Sequence, residues 1–261
     1  MKITEICPSK SLKNQSNITM KKTILLTVLI MFGSLVLFSF AQTSKNNSDT
    51  VSIVTADSTI KNELSQTDAL YQELKLDSFG LSRQTLELAM KGYEKLVTQG
   101  AVNKDQYLTI VDFSQISRKK RFYIIDVKNR ELVWNTFVSH GKNSGLDSAS
   151  RFSNAFNSEA SSLGFYVTKT TYTGKHGKSL RISGMEEGFN DNAEARGVVV
   201  HGAQYVTPAR VNSAYMGRSQ GCPALPQNEY AKVIDIIKDG SVMFIYSPAQ
   251  EYIQDSPILN G

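Results

Sequence analysis

Residues 197–225 read GVVVHGAQYVTPARVNSAYMGRSQGCPAL, and our interpretation of the fold depends on two features of this stretch. The first is an apolar run that ends at His201, as is typical of a buried β-strand. The second is a glycine-rich loop that carries Cys222, 21 residues after His201. A strand holds an imidazole rigidly, and Gly217 and Gly221 let the backbone fold closely around the thiol. We therefore expect a strand-rich domain that brings a histidine and a cysteine together.

The pattern of short strands predicts a mainly β domain over residues 104–250. Besides 197–202, the predicted strands are 107–113, 121–127, 131–139, 164–172, 179–184 and 241–247. One amphipathic helix over residues 228–238 interrupts them, and Ala231, Ile234 and Ile237 are predicted to line its inner side. Many short strands with few helices favour a β-sandwich or an open barrel.

A helical segment over residues 65–103 precedes the strands, and we expect it to pack on the β domain. Helical periodicity covers 68–76 and 82–98, and Ser82 is suited to cap the second helix. The apolar face of this helix consists of Leu86, Ala89, Tyr93, Leu96 and Val97. Residues 251–261 are interpreted as a C-terminal tail.

The first 41 residues have the layout of an export leader. From Met20, two lysines precede a long apolar run that closes on small residues at a cleavage site. The run suits either a cleaved signal peptide or an uncleaved membrane anchor. Residues 42–64 are rich in Ser, Thr, Asn and Asp, which predicts a disordered linker. We therefore expect an exported protein of the periplasm or cell envelope, with no membrane contact other than such an anchor.

The net charge gives no reason to expect a nucleic-acid partner. Removing the five lysines and one glutamate of residues 1–41 from the 29 basic and 24 acidic residues leaves 24 and 23, a net charge of +1. The basic character of the full chain thus belongs mostly to its leader, and no aromatic residues are interleaved with basic ones.

Cys222 is the only cysteine outside the leader, because Cys7 lies within it. An unpaired thiol in an exported protein is either a reactive group or a small buried hydrophobe. As a nucleophile, Cys222 needs a base such as His201, and the amides of Gly221 and Cys222 are candidate donors to an oxyanion.

Other polar groups offer weaker candidates. His140 and His176 lie in polar stretches, where we expect solvated side chains. No metal or cofactor is expected, since the chain has neither an HExxH nor a CxxC motif.

Several sequence blocks from about Leu70 to Tyr246 resemble the murein L,D-transpeptidase catalytic-domain branch of the YkuD-type family. The blocks are LTIVDFS (108–114), SSLGFYVT (161–168), GKHGKSLRISGMEEGFNDNA (174–193), RGVVVHGAQYV (196–206) and GRSQGCPALP (217–226). The resemblance implies a β-rich fold and a cysteine acyltransferase that forms a thioester and acts on peptidoglycan stem peptides. By the same resemblance, Cys222 is the nucleophile, His201 is its base, and a backbone carbonyl at or near Gly202 orients His201.

The family motif Ser/Thr-His-Gly-Cys is matched by Ser219 and Gly221 but altered elsewhere. Gln220 replaces the histidine of the motif, and Ala224 replaces an arginine that commonly follows the cysteine. Arg218 or Arg196 is our candidate to bind a substrate carboxylate instead.

Four alternatives were weighed against a transpeptidase. An L,D-carboxypeptidase would use the same scaffold, with water in place of the amine. A sortase-like enzyme needs an arginine after the cysteine, and no arginine follows Cys222. A papain-like peptidase places its cysteine before its histidine. A non-catalytic wall-binding module would bury the thiol and tolerate its loss.

Overall fold

The computed structural model describes residues 66–261. The expected leader (1–41) and linker (42–64) lie outside these residues, as does residue 65 of the helical segment. Within residues 66–261, no helix is both long enough and apolar enough to cross a membrane.

The described chain consists of ten strands and five α-helices, joined by two 3-10 turns at Leu76–Phe79 and Pro208–Arg210. The strands are β1 Tyr107–Asp112, β2 Phe122–Asp126, β3 Glu131–Thr136, β4 His140–Gly141, β5 Gly164–Gly174, β6 Gly177–Gly184, β7 Val199–Ala203, β8 Arg218–Ser219, β9 Ala224–Pro226 and β10 Val242–Tyr246. The helices are α1 (66–73), α2 Arg83–Thr98, α3 Tyr230–Ile237, α4 Gln250–Asp255 and α5 Pro257–Asn260.

Eight strands form one sheet in the order β3-β2-β1-β10-β5-β6-β7-β9, and β4 pairs with β8 in a small second sheet. The β1–β10 and β7–β9 pairs are parallel, and the other pairs of the large sheet are antiparallel. Ser139, just after β3, donates its amide to the Ala224 carbonyl of β9 at 2.9 Å. Because β3 and β9 are the two edges of the sheet, this contact curls it into a nearly closed barrel. The predicted mainly β class is confirmed.

Helix α2 covers one face of the sheet with the residues that its periodicity predicts. Leu86, Ala89, Tyr93 and Leu96 are buried, whereas Val97 is only half-buried. The side chain of Ser82 accepts a hydrogen bond from the Thr85 amide at 3.1 Å, so the predicted N-cap is present.

Two details of the chain differ from the sequence interpretation. Ala231 is exposed and Val233 is buried in its place, because helix α3 begins only at Tyr230 and its first turn faces solvent. The expected tail over 251–261 folds into α4 and α5, which bury Tyr252, Ile258 and Leu259.

Gly92 allows α2 to approach the sheet, and we expect Gly92→Ala to destabilise the protein. An added Cβ would lie 2.0 Å from Cζ of Phe165, whose ring is stacked on Phe244 at 4.2 Å and has no free space to move into. The cost of overpacking, about 1–3 kcal/mol, outweighs the gain of about 1 kcal/mol from alanine in a helix. Urea unfolding measures the difference, with the exposed Lys91→Ala as a control expected to stay within about 0.5 kcal/mol. Equal stabilities of the two variants would contradict this packing.

Candidate active site

His201 and Cys222 line the same cavity, which has a volume of about 470 Å³. Its walls come from the β5–β6 hairpin, the end of β7 and the loop around β8. The parallel pairing of β7 with β9 aligns His201 with Ala224, two residues beyond the cysteine. The structure thus brings together the two residues that the sequence singled out.

The ring of His201 is oriented by the backbone of the next residue. Its Nδ1 lies 2.9 Å from the Gly202 carbonyl oxygen, and a carbonyl only accepts, so Nδ1 carries the proton. The other nitrogen, Nε2, is then an acceptor. This tautomer is the one that a general base requires.

The thiol of Cys222 lies beside the strand that carries His201. The Val199 amide, two residues before His201 on β7, donates to Sγ of Cys222 at 3.5 Å. The side chain is half-buried yet lines the cavity, so a ligand in the cavity can reach the sulfur.

The loop before Cys222 is held by its own serine. Oγ of Ser219 donates to the Cys222 carbonyl at 2.6 Å and accepts from the Gly221 amide at 3.1 Å. Gly221 has φ of +119°, and a Cβ there would meet the Ala160 carbonyl oxygen at 2.8 Å, so only glycine fits. Because the Gly221 amide is directed at Ser219, our candidate donor to an oxyanion is now the Cys222 amide alone.

Gln220 occupies the exposed rim of the cavity. Its Nε2 lies 3.4 Å from Oε1 of Glu159, a weak contact at the surface. The side chain is therefore not the buried donor that would replace the histidine of the motif.

The two candidate arginines occupy different environments. Arg218 lines the cavity, lies over the ring of Tyr215, and donates to the carbonyls of Lys142 and Gly145. Arg196 instead donates to the 153–162 loop, at the carbonyls of Ser153 and Ala160 and the hydroxyls of Ser158 and Ser162. We therefore retain Arg218 as the candidate for binding substrate and assign Arg196 to holding that loop.

Burial keeps both members of the Cys–His pair uncharged at rest. It raises the pKa of the Cys222 thiol above its ordinary value, which the Val199 amide and the charge of Arg196 offset only in part. It also lowers the pKa of His201, with an opposing contribution from the Gly202 carbonyl and a further lowering from His176. A thiol and a neutral imidazole, rather than a thiolate–imidazolium pair, is the state that this geometry favours.

His140 is buried, contrary to the expectation of a solvated side chain. Its Nδ1 accepts from Nη2 of Arg121 at 2.8 Å, because a guanidinium only donates. Burial, together with the charge of Arg121, lowers the pKa of His140 to about 4. The backbone of His140 is paired with that of Arg218 between β4 and β8, so this buried residue lies in the strand beside the loop that carries Cys222.

His176 is exposed as expected, but it does not extend freely into solvent. Its ring stacks on that of His201 with the centroids 4.4 Å apart and 22° between the planes. The sequence indicated only a polar stretch here, and no signal other than the resemblance block 174–193 pointed to this contact. Among residues 66–261, no group of three His, Cys, Asp or Glu side chains is arranged to hold a metal ion.

The raised pKa of Cys222 predicts how its alkylation depends on pH. Iodoacetamide reacts with the thiolate, so the rate should keep rising through the ordinary thiol value of 9.0. Mass spectrometry of Cys222 across a pH series measures this rate, with a short cysteine peptide as the reference. A rate that is already maximal at pH 6 and rises no further through pH 9 would show a preformed thiolate–imidazolium pair and contradict the neutral resting state.

We expect the protein to lose stability when the hydroxyl group of Ser219 is removed. Ser219→Ala leaves the Gly221 amide and the Cys222 carbonyl without their partner, at a cost of about 1–3 kcal/mol. Ser219→Thr keeps the hydroxyl and should restore most of it, and Gln220→Ala at the exposed neighbour should change little. Urea unfolding compares the three variants, and an unaffected Ser219→Ala would rule out this role.

One of the comparisons with known proteins identifies the family of the strand-rich domain. A family model described as "L,D-transpeptidase catalytic domain" matches residues 78–246. A search of curated protein sequences gave no match.

Among solved structures, an L,D-transpeptidase from Mycobacterium smegmatis is 16% identical to this chain. The alignment covers 54% of this chain and 59% of that chain, with a TM-score of 0.34. L,D-transpeptidase 3 from Mycobacterium tuberculosis, solved with a faropenem-derived adduct, is 12% identical, with coverage of 54% and 60% and a TM-score of 0.35. The helical cell shape determining protein of Campylobacter jejuni is 13% identical, with coverage of 60% and 53% and a TM-score of 0.36.

This chain spans less than two thirds of the length of each of these structures. At such values the structural likeness carries no inference about activity. The family model, in contrast, matches more than half of the chain, so the protein belongs to the L,D-transpeptidase catalytic domain family.

Proposed function

We propose that the protein is an L,D-transpeptidase that acts on peptidoglycan stem peptides through a thioester on Cys222. One observation carries the proposal: the thiol of Cys222 and the correctly protonated ring of His201 line one open cavity. Membership of the family supports the reaction class.

In the first step, Nε2 of His201 takes the thiol proton as the sulfur attacks the carbonyl carbon of the third residue of a tetrapeptide stem. The Cys222 amide is our candidate to stabilise the negative oxygen of the tetrahedral intermediate. The bond to the terminal D-Ala then breaks, and the imidazolium returns the proton to the departing amine. The acyl group remains on Cys222 as a thioester.

In the second step, an amine of another stem attacks the thioester. His201 accepts a proton from this amine and returns it to the departing thiol, which closes the cycle. No nucleotide is consumed, because the energy of the broken peptide bond is kept in the thioester; this suits a site outside the cytoplasmic membrane. The expected export leader supports that location, which stays a prediction.

The charge around the cavity suits an anionic substrate. Lys142, Lys175 and Arg218 line it, and no Asp or Glu is among the described lining residues. Lys142 is paired with Glu159 at 2.6 Å, which leaves Lys175 and Arg218 as the cations that we propose for a stem carboxylate.

Transfer to an amine competes with hydrolysis of the same thioester. A groove that binds a second stem raises the effective concentration of the amine far above that in bulk. We therefore place transpeptidation before the L,D-carboxypeptidase alternative, in which water resolves the thioester.

The proposal predicts distinct products from purified protein and tetrapeptide muropeptides. Mass spectrometry should detect 3–3 dimers, or exchange of the terminal residue for an added D-amino acid. A carbapenem should add its mass to the wild type but not to Cys222→Ala, and His201→Ala should lose about two to four orders of magnitude in rate.

Other outcomes would contradict parts of the proposal. Tripeptide alone, without dimer or exchange, would identify a carboxypeptidase. Folded protein that gives neither product nor adduct would point to a wall-binding module. Near-normal activity of Cys222→Ala or His201→Ala would refute the Cys–His assignment.

A further inference from the structure

The tip of the β5–β6 hairpin lies directly over the ring of His201. Lys175 and His176 form the turn between the paired residues Gly174 and Gly177. Gly177 has φ of +78°, a left-handed conformation that glycine adopts without strain and that closes short hairpins. The turn thereby places the imidazole of His176 face to face with that of His201, 4.4 Å away between centroids.

The hairpin tip is docked on the strand that carries His201 through a tyrosine of helix α3. A Cβ at Gly177 would lie 2.8 Å from the hydroxyl oxygen of Tyr230, and one at Gly202 would lie 2.5 Å from Cδ1 of the same ring. Tyr230 therefore contacts both the turn and the residue after His201. The position of His176 is set by this packing, since within residues 66–261 its side chain has no hydrogen bond to hold it.

The hydrogen bond from Nδ1 to Gly202 fixes His201 within the plane of its ring but leaves the ring faces without support. His176 covers one of these faces. This cover explains why His201 is only 4% exposed although it lines an open cavity. Without it, the terminal torsion of a histidine is broad, and the ring can tilt away from the sulfur.

We propose that His176 is a positioning residue that holds the imidazole of His201 by ring stacking. The contact keeps Nε2 of His201 directed at Cys222 and keeps water off the base. The proposed effect of His176 is thus on the orientation and exposure of the ring. The inference rests on the proposed function only in that it takes His201 as the base for Cys222.

Alkylation of Cys222 by iodoacetamide at pH 7.5 tests the inference without needing the natural substrate. Wild type and His201→Ala define the range of rates with and without the base. His176→Ala should react about tenfold more slowly than wild type, because a misplaced base loses rate steeply with distance. His176→Phe keeps an aromatic face without a titrating nitrogen and should restore the rate to within about threefold.

Two controls separate positioning from damage to the hairpin. Thr173→Ala changes an exposed residue of the same hairpin that does not line the cavity, and it should react like wild type. All variants should keep the wild-type melting temperature, because His176 is exposed. In NMR spectra, the ring protons of His201 should lose an upfield ring-current shift in His176→Ala and keep it in His176→Phe.

The outcomes that overturn the inference are separate from those that overturn the proposed function. Wild-type alkylation by His176→Ala, or rates as slow for His176→Phe as for His176→Ala, would rule out positioning by stacking. Equal rates for wild type and His201→Ala would instead contradict the Cys–His pair. In that case the ring-current shift still decides whether His176 holds the ring, and an unchanged shift in His176→Ala would refute it.

Discussion

The parallel pairing of β7 with β9 is the interaction on which the site depends. It aligns His201 with Ala224. The segment between them therefore leaves β7 and returns to pair beside it, with Cys222 just before the pairing begins. The carbonyl of Ala224 is also bonded by the Ser139 amide, which belongs to the segment after the opposite sheet edge. The short strand β9 therefore takes part in closing the barrel and also holds the residues that follow Cys222 beside the strand of His201.

Hydrogen bonds from three polar side chains and their neighbours hold the loop that carries Cys222. Ser219 binds two backbone groups of the loop itself, and His140, fixed by Arg121, lies in the β4 strand that pairs with β8. Arg196 ties the 153–162 loop, whose Ala160 carbonyl leaves no room for a side chain at Gly221. These contacts hold the loop around the sulfur, an arrangement that would suit the charged transition state of the proposed reaction.

The cavity is lined both by the Cys222–His201 pair and by positively charged side chains. Burial favours the uncharged forms of Cys222 and His201, so in the proposed reaction charge develops on the pair when His201 takes the thiol proton. The positively charged residues Lys142, Lys175 and Arg218 also line this cavity, and they suit the anionic substrate that we propose.

Local sequence patterns predicted the class of fold, and they drew attention to two residues that line one cavity in the structure. Alternating and continuous apolar runs predicted the strands, the Ser82 cap and the face of α2, because these depend on near neighbours in the chain. The same patterns, with the family resemblance, singled out His201 and Cys222 and pointed to Gly202. They failed for Ala231 and for the folded C-terminal residues, where the start of a helix and the burial of Tyr252 depend on distant partners.

What only the tertiary structure decided lies in contacts between residues far apart in sequence. His140 and His176 look alike in the sequence, each in a polar stretch beside glycine. The fold buries one against Arg121 and stacks the other on the ring of His201. It likewise directs Arg196 at the Ala160 carbonyl, whereas Arg218 lines the cavity. A side chain's partners are set by which strands and turns meet in space, and that information is not contained in the residues on either side of it.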